Sequence, residues 1–152
     1  MTHFPVYSAC NLITKENSER KIVVHELNEL LTDEHLPQKP HRHTFYQVLY
    51  IEKGTGNHKI DFNEHQISPP VIYFLAPGQV HDLSITDENS LGCLINFNQD
   101  FFSSFLNKSQ CIDQLPLFSF NRSVSYYQIP KDDVCKFREI FMKIKNINEE
   151  NN

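Results

Sequence analysis

The chain has no tryptophan, only four glycines and two methionines in 152 residues. With glycine so scarce, no phosphate-cradling loop and no Gly-x-Ser-x-Gly nucleophile turn can be found. No apolar run approaches the roughly 20 residues that a membrane helix needs. The first fifteen residues lack a basic segment followed by a long apolar one, so no secretory signal is expected. Basic residues are also short: 14 Lys and Arg stand against 19 Asp and Glu, for a net charge of -5. A chain that grips a phosphate backbone needs a basic face, and nothing here supplies one. An anionic membrane surface is excluded on the same ground. The four cysteines, Cys10, Cys93, Cys111 and Cys135, form no Cys-x-x-Cys pair. They read as reduced thiols of a cytoplasmic protein.

What the chain has instead is phenylalanine, tyrosine and histidine: twelve, six and eight residues. Its length suits one domain with a core of its own. The middle of the sequence alternates short apolar runs with turns. Residues 44–52 read as a strand, and Gly54-Thr55-Gly56 turns it. Residues 57–62 follow as a second strand, with His58, Ile60 and Phe62 on one face. A turn is expected at 63–64, then strands at 71–75, 80–86 and 91–97, punctuated by Pro77-Gly78 and by residues 87–90. Upstream, 22–27 reads as a strand, although its leucines also suit a helix. Strands at this spacing imply an antiparallel sandwich or barrel.

The texture changes after residue 97. Asn98 offers a helix cap ahead of Phe101, Phe102, Phe105 and Leu106. A short strand is expected at 124–129. Pro130 and the acids Asp132 and Asp133 then open a last helix over 131–147. Val134, Phe137, Phe141 and Ile144 form one stripe on it, and Ile140 and Ile147 a second. So wide an apolar arc has more than one surface to meet. A dimer contact is therefore expected on this helix, through Val134, Phe137, Phe141 and Ile144.

The histidines carry the chemistry. His41 and His43 share a strand face, which continues through Phe45, Gln47, Leu49 and Ile51. His81 follows a turn and can return beside them. Three imidazoles and the Gln47 amide could meet one divalent first-row ion. The same residues could equally line a pocket for an organic molecule, with Phe45, Leu49, Ile51, Ile60 and Phe62 as its apolar floor.

His41, His43, Gln47 and Gly54 have a spacing similar to the first motif of cupins, and Gly78 and His81 partly match the second. Gln47 stands where the cupin motif has glutamate, and Ala76 where it has proline. The longer run, from His41 through Gly54, Gly56, Ile60-Asp61-Phe62, residues 74–81 and residues 95–102, resembles the N-terminal sensor domain of AraC-type transcription regulators. That resemblance implies a mainly β fold, a cupin-like double-stranded β-helix or jelly-roll barrel followed by C-terminal helices. It implies an arm or first strand at 1–21, a sensor barrel at 22–129 and a dimerisation or linker helix at 130–152. A small organic effector would bind His43, Phe45, Gln47, His58 and His81 without a cofactor. DNA would be met only through a helix-turn-helix domain beyond these residues. The alternative is a metal-dependent cupin enzyme, a dioxygenase or isomerase, with His41, His43, Gln47 and His81 on the ion.

Overall fold

The computed structural model describes residues 3–8, 22–32, 39–103, 112, 115–118 and 126–150. The strands are β1 (Val6–Tyr7), β2 (Ile22–Glu26), β3 (Arg42–His43), β4 (Tyr46–Lys53), β5 (Gly56–Ile60), β6 (Asn63–Gln66), β7 (Val71–Leu75), β8 (His81–Ile85), β9 (Leu91–Phe97) and β10 (Tyr126–Gln128). Among the described residues, the α-helices are α1 (Leu27–Thr32), α2 (Gln99–Ser103) and α3 (Val134–Glu150), the last entered through a 3-10 turn at Lys131–Asp133.

Five strands form one sheet in the order β10-β7-β4-β9-β2, and three form another in the order β6-β5-β8. All neighbours within both sheets are antiparallel. Between the sheets lies one apolar cluster: Leu49 and Ile51 of β4, Val71, Tyr73 and Leu75 of β7 and Leu94 of β9 meet Ile60 of β5 and Ile67. The opposite face of the larger sheet is also covered. There Tyr46, Tyr50, Ile72, Ile95 and Phe97 pack with Ile112, Phe118, Ile129 and Phe141. Two covered faces explain why β7 is apolar at every position, since neither side of it meets water.

The observed elements follow the expected order, with local shifts. The strand expected at 22–27 ends at Glu26, and the leucines after it form α1. Leu27 and Leu30 there turn into the inter-sheet core. The strand expected at 57–62 ends at Ile60, and Asn63 pairs directly with Ile60. Asp61 and Phe62 are thus the turn, both at positive φ (46° and 71°), as a two-residue hairpin of primed type requires. Phe62 is consequently 74% exposed and leaves the expected apolar floor. Gly56 enters β5 at φ 153°, and a Cβ there would lie 2.0 Å from the Ser84 carbonyl oxygen, so only glycine fits.

Asn98 caps α2 as expected, its Oδ1 accepting from the Phe101 amide at 2.9 Å. Phe105 and Leu106, part of the same expected helix, lie outside the described residues, as do residues 9–21 of the expected arm and 124–125 of the expected strand.

Helix α3 lays the stripe expected at a dimer contact against its own chain. Phe141 is buried against the chain's own sheet, and Val134, Phe137 and Ile144 pack on the same cluster. The rings of Phe141 and Tyr50 stack at 4.5 Å with 7° between planes. One turn away on either side, Arg138 pairs with Glu52 and Lys145 with Glu26. The stripe faces inward because the outer face of the larger sheet is apolar and needs a cover. Ile140, Met142 and Ile147 are the large apolar side chains that α3 leaves exposed.

Candidate functional site: a buried histidine cluster

Backbone pairing assembles the site. The His41 amide donates to the His81 carbonyl at 3.0 Å, and the His81 amide returns the bond to His41 at 2.9 Å. This two-way bridge ties the start of β3 to the start of β8. The loop before His81 is fixed independently. Gln79 Oε1 accepts from the Ala76 amide at 2.8 Å, and Asp61 Oδ1 accepts from the Val80 amide at 3.1 Å.

Side chains then converge. The ring centroids of His41 and His81 lie 4.2 Å apart, those of His43 and His81 4.4 Å, and those of His41 and His43 4.8 Å. One ligand nitrogen from each of the three lies within 4.8 Å of the others. His58 stands beside them, its ring 5.8 Å from that of His81. All four histidines are buried. Phe45 stacks on His43 at 4.4 Å and 12°. Gln47, also buried, donates its amide to Asn96 Oδ1 at 3.0 Å across the β4–β9 register pair. The expected ligand-binding residues His43, Phe45, Gln47, His58 and His81 are therefore all interior.

Electrostatics keeps the cluster neutral. Burial lowers the pKa of His43 to about 3, with His41 and His58 adding like-charge opposition. Burial likewise brings His58 to about 3, aided by His65 and His41. His81 is held well below the ordinary value by burial and by its three histidine neighbours. His41 is lowered too, against the opposing pull of the Lys39 carbonyl and Asp82. A neutral imidazole has one N–H and one lone pair. His41 Nδ1 lies 2.8 Å from the Lys39 carbonyl, which can only accept, so Nδ1 carries the proton and Nε2 offers its lone pair.

Both ring nitrogens of His43, both of His58, and Nδ1 of His81 are buried without a hydrogen-bond partner among the described residues. Orphaned buried polar atoms are costly, and in this number they point to something they bind. The donor set suits a divalent first-row ion: neutral imidazoles, deprotonated at one nitrogen each, with an outer carbonyl orienting one of them. Such an ion would supply a Lewis-acidic centre at His41, His43 and His81.

Three contributors were not singled out from sequence. Tyr7 of β1 runs parallel to β3 and sets its ring edge-on to His41 at 5.3 Å. Tyr73 holds His58 edge-on at 4.6 Å. Asn96 orients Gln47. Only Asn96 leaves a local sign, a polar residue on the inward face of an apolar strand.

Residues 29–140 match the family of AraC-like ligand binding domains. The chain belongs to that family. As an AraC-like ligand-binding domain it has the cupin-type jelly-roll expected from its motifs, seen here in the two antiparallel sheets and their shared core. Its fold is similar to that of KdgF from Halomonas sp., at 19% identity and TM-score 0.36, covering 43% of this chain and 62% of that one. It is similar to apo ToxT from Vibrio cholerae, at 15% identity and TM-score 0.46, covering 80% of this chain and 46% of ToxT. A cupin protein from Bacteroides fragilis aligns at 16% identity and TM-score 0.36, over 59% of this chain and 70% of that one. The AraC-like domain thus spans about half to two thirds of the length of KdgF and ToxT. No characterised protein matches its sequence significantly. Among the described residues, no helix of the domain is long and apolar enough to cross a membrane.

Proposed function

We propose that this AraC-like domain is the effector-sensing part of a cytoplasmic transcription regulator, and that it acts by binding rather than by turnover. The observation that carries the reading is the enclosed set of neutral imidazoles with unpartnered nitrogens, His43, His58 and His81. Each of these nitrogens gains free energy from a partner that the described residues do not provide. Phe45 and Gln47 complete the wall with an aromatic face and an amide. Residues 1–21 act as an arm and 22–129 as the sensor barrel. Residues 130–152 pass the signal on and support a homodimer, and DNA is met by a helix-turn-helix domain outside this sequence.

Signalling is a population shift: an effector that contacts one arrangement of arm, barrel and helix better than another favours that arrangement. Strand β4 is suited to carry it, since its inner face holds Gln47 and its end holds Glu52, the partner of Arg138 on α3. The test is a thermal-shift screen of small molecules against the wild-type chain and against His43→Phe and His58→Phe. Compounds that raise Tm in wild type but not in the variants support the reading; a panel that stabilises nothing refutes it.

A second reading, a metal-dependent cupin enzyme, draws on the close approach of His41, His43 and His81. Turnover of a compound found in the same screen, in the presence of added metal, would favour it over sensing.

A further inference from the structure

The rings of His41, His43 and His81 leave no room between them for an organic molecule. Rings with centroids 4.2–4.8 Å apart touch one another and leave no gap of molecular size. An ion fits. Held at about 2.0–2.1 Å from each nitrogen, it joins nitrogens up to roughly 4 Å apart. The observed spread, within 4.8 Å, closes to that by small ring rotations.

Charge then decides what accompanies the ion. Three neutral imidazoles cancel none of a divalent cation's charge. The buried polar residues among those described are histidine, glutamine, serine and asparagine, and none is acidic. Gln47 occupies the place in the inward row where a carboxylate would have removed one charge. Asp82, the carboxylate that acts on His41, directly follows His81 on β8 and so projects to the other face of that strand. A buried charge without compensation is strongly unfavourable. The missing negative charge must come from outside the protein.

His58 is the further buried histidine beside this set. It falls outside the three-histidine set, so it is too distant to share the ion's first shell on the same terms. Its ring stands 5.8 Å from His81 and at 80° to it, next to the cluster rather than inside it. Its two nitrogens have no hydrogen-bond partner among the described residues, and Tyr73 meets the ring edge-on.

Building on the effector-binding reading above, we infer that the barrel takes a small carboxylate as an oxygen donor to a divalent transition-metal ion on His41, His43 and His81, and that His58 selects it by donating a hydrogen bond to it. The glutamine in the inward row is thus the reason an anion is needed. The protein supplies the imidazoles, and the effector supplies the charge.

The test uses the full chain, stripped with a chelator and reloaded with Co2+ alone, followed by visible absorption and calorimetry. The wild type takes up a stoichiometric ion, and His43→Ala and His81→Ala lose it. Acetate then alters the Co2+ spectrum, whereas acetamide, of the same shape but uncharged, does not. Gln47→Glu brings its own carboxylate, so it holds Co2+ more tightly and binds acetate about tenfold more weakly or worse. His58→Phe keeps Co2+ but binds acetate about tenfold more weakly, and His58→Gln, which retains a donor, restores binding. Circular dichroism of each variant checks folding, and His58→Met replaces His58→Phe if the larger ring does not fold. Failure to bind Co2+ stoichiometrically, equal effects of acetate and acetamide, or wild-type acetate affinity in Gln47→Glu overturns the inference. A metal-free organic compound that stabilises the stripped chain upholds the sensing reading and overturns this one. The sensing reading itself falls only if neither the stripped nor the Co2+-loaded chain is stabilised by any compound.

Discussion

His41 and His81 exchange both of their backbone hydrogen bonds, at 3.0 and 2.9 Å, and their rings sit 4.2 Å apart. Forty residues separate them in sequence. The same pairing that joins two strands therefore also fixes the distance between two side chains of the candidate site. Such a site is built on strands rather than on a mobile loop, which favours precision.

Acid should destabilise the metal-free chain well before its carboxylates titrate. The folded-state pKa of His58 is lowered to about 3 from an ordinary value of 6.5. Between those values the unfolded chain binds the proton and the folded chain does not, so stability falls as pH drops through that window. For His58 alone the loss at pH 5 is about 2 kcal/mol relative to neutral pH. Urea melts at pH 7.5 and pH 5 measure it. In His58→Phe the difference shrinks by about that amount, and an unchanged difference would show that His58 is not held neutral.

The Gln47–Asn96 bond should show the asymmetry of buried polar pairs. Asn96→Leu leaves the Gln47 amide without its acceptor and costs about 1–3 kcal/mol. The double change Gln47→Leu with Asn96→Leu removes both polar groups and costs less than the sum of the single changes. Denaturant titration of the four proteins closes the cycle, and additivity would mean the bond contributes nothing.

Gly56→Ala should be among the most damaging small substitutions. The added methyl meets the Ser84 carbonyl at 2.0 Å, and φ of 153° is strained for any residue with a Cβ. A loss of about 3 kcal/mol is expected, read as a drop in the denaturant midpoint at constant slope. Gly78→Ala is the control: nothing lies within 4 Å of its Cβ, so it carries only the strain of φ 86°.

Helix α3 separates stability from association. Phe141→Ala should cost about 3–4 kcal/mol, because the ring is buried and stacked on Tyr50. Ile140→Asp and Ile147→Asp touch exposed positions and should change monomer stability by no more than about 0.5 kcal/mol. If the exposed face of α3 joins two copies, these same variants sediment as monomers while Phe141→Ala fails by unfolding. Arg138→Ala should change stability little, since the guanidinium it removes is exposed and screened by solvent.

Much of the architecture was written locally. Apolar, β-branched and aromatic composition between turns marked β4 and β9 to within two residues, and Asn98 announced α2 by its capping chemistry. The row from His43 through Phe45 and Gln47 to Leu49 was legible because side chains on a strand alternate with a period of two. Tertiary structure decided what local pattern leaves open. Residues 61–62 or 63–64 could each make the turn after β5, and cross-strand pairing of Ile60 with Asn63 chose the first. The apolar stripe of α3 could meet a second copy or its own sheet, and the uncovered face of that sheet took it. The approach of His81 to His41, the edge of Tyr7 on His41 and the bond from Gln47 to Asn96 each join residues distant in sequence, and no periodicity encodes a distance across a barrel. Sequence alone thus determined which side chains share a strand face, because that follows from the strand's own geometry. Only the closed fold determined which of them touch, because contact depends on how separate strands are brought into register.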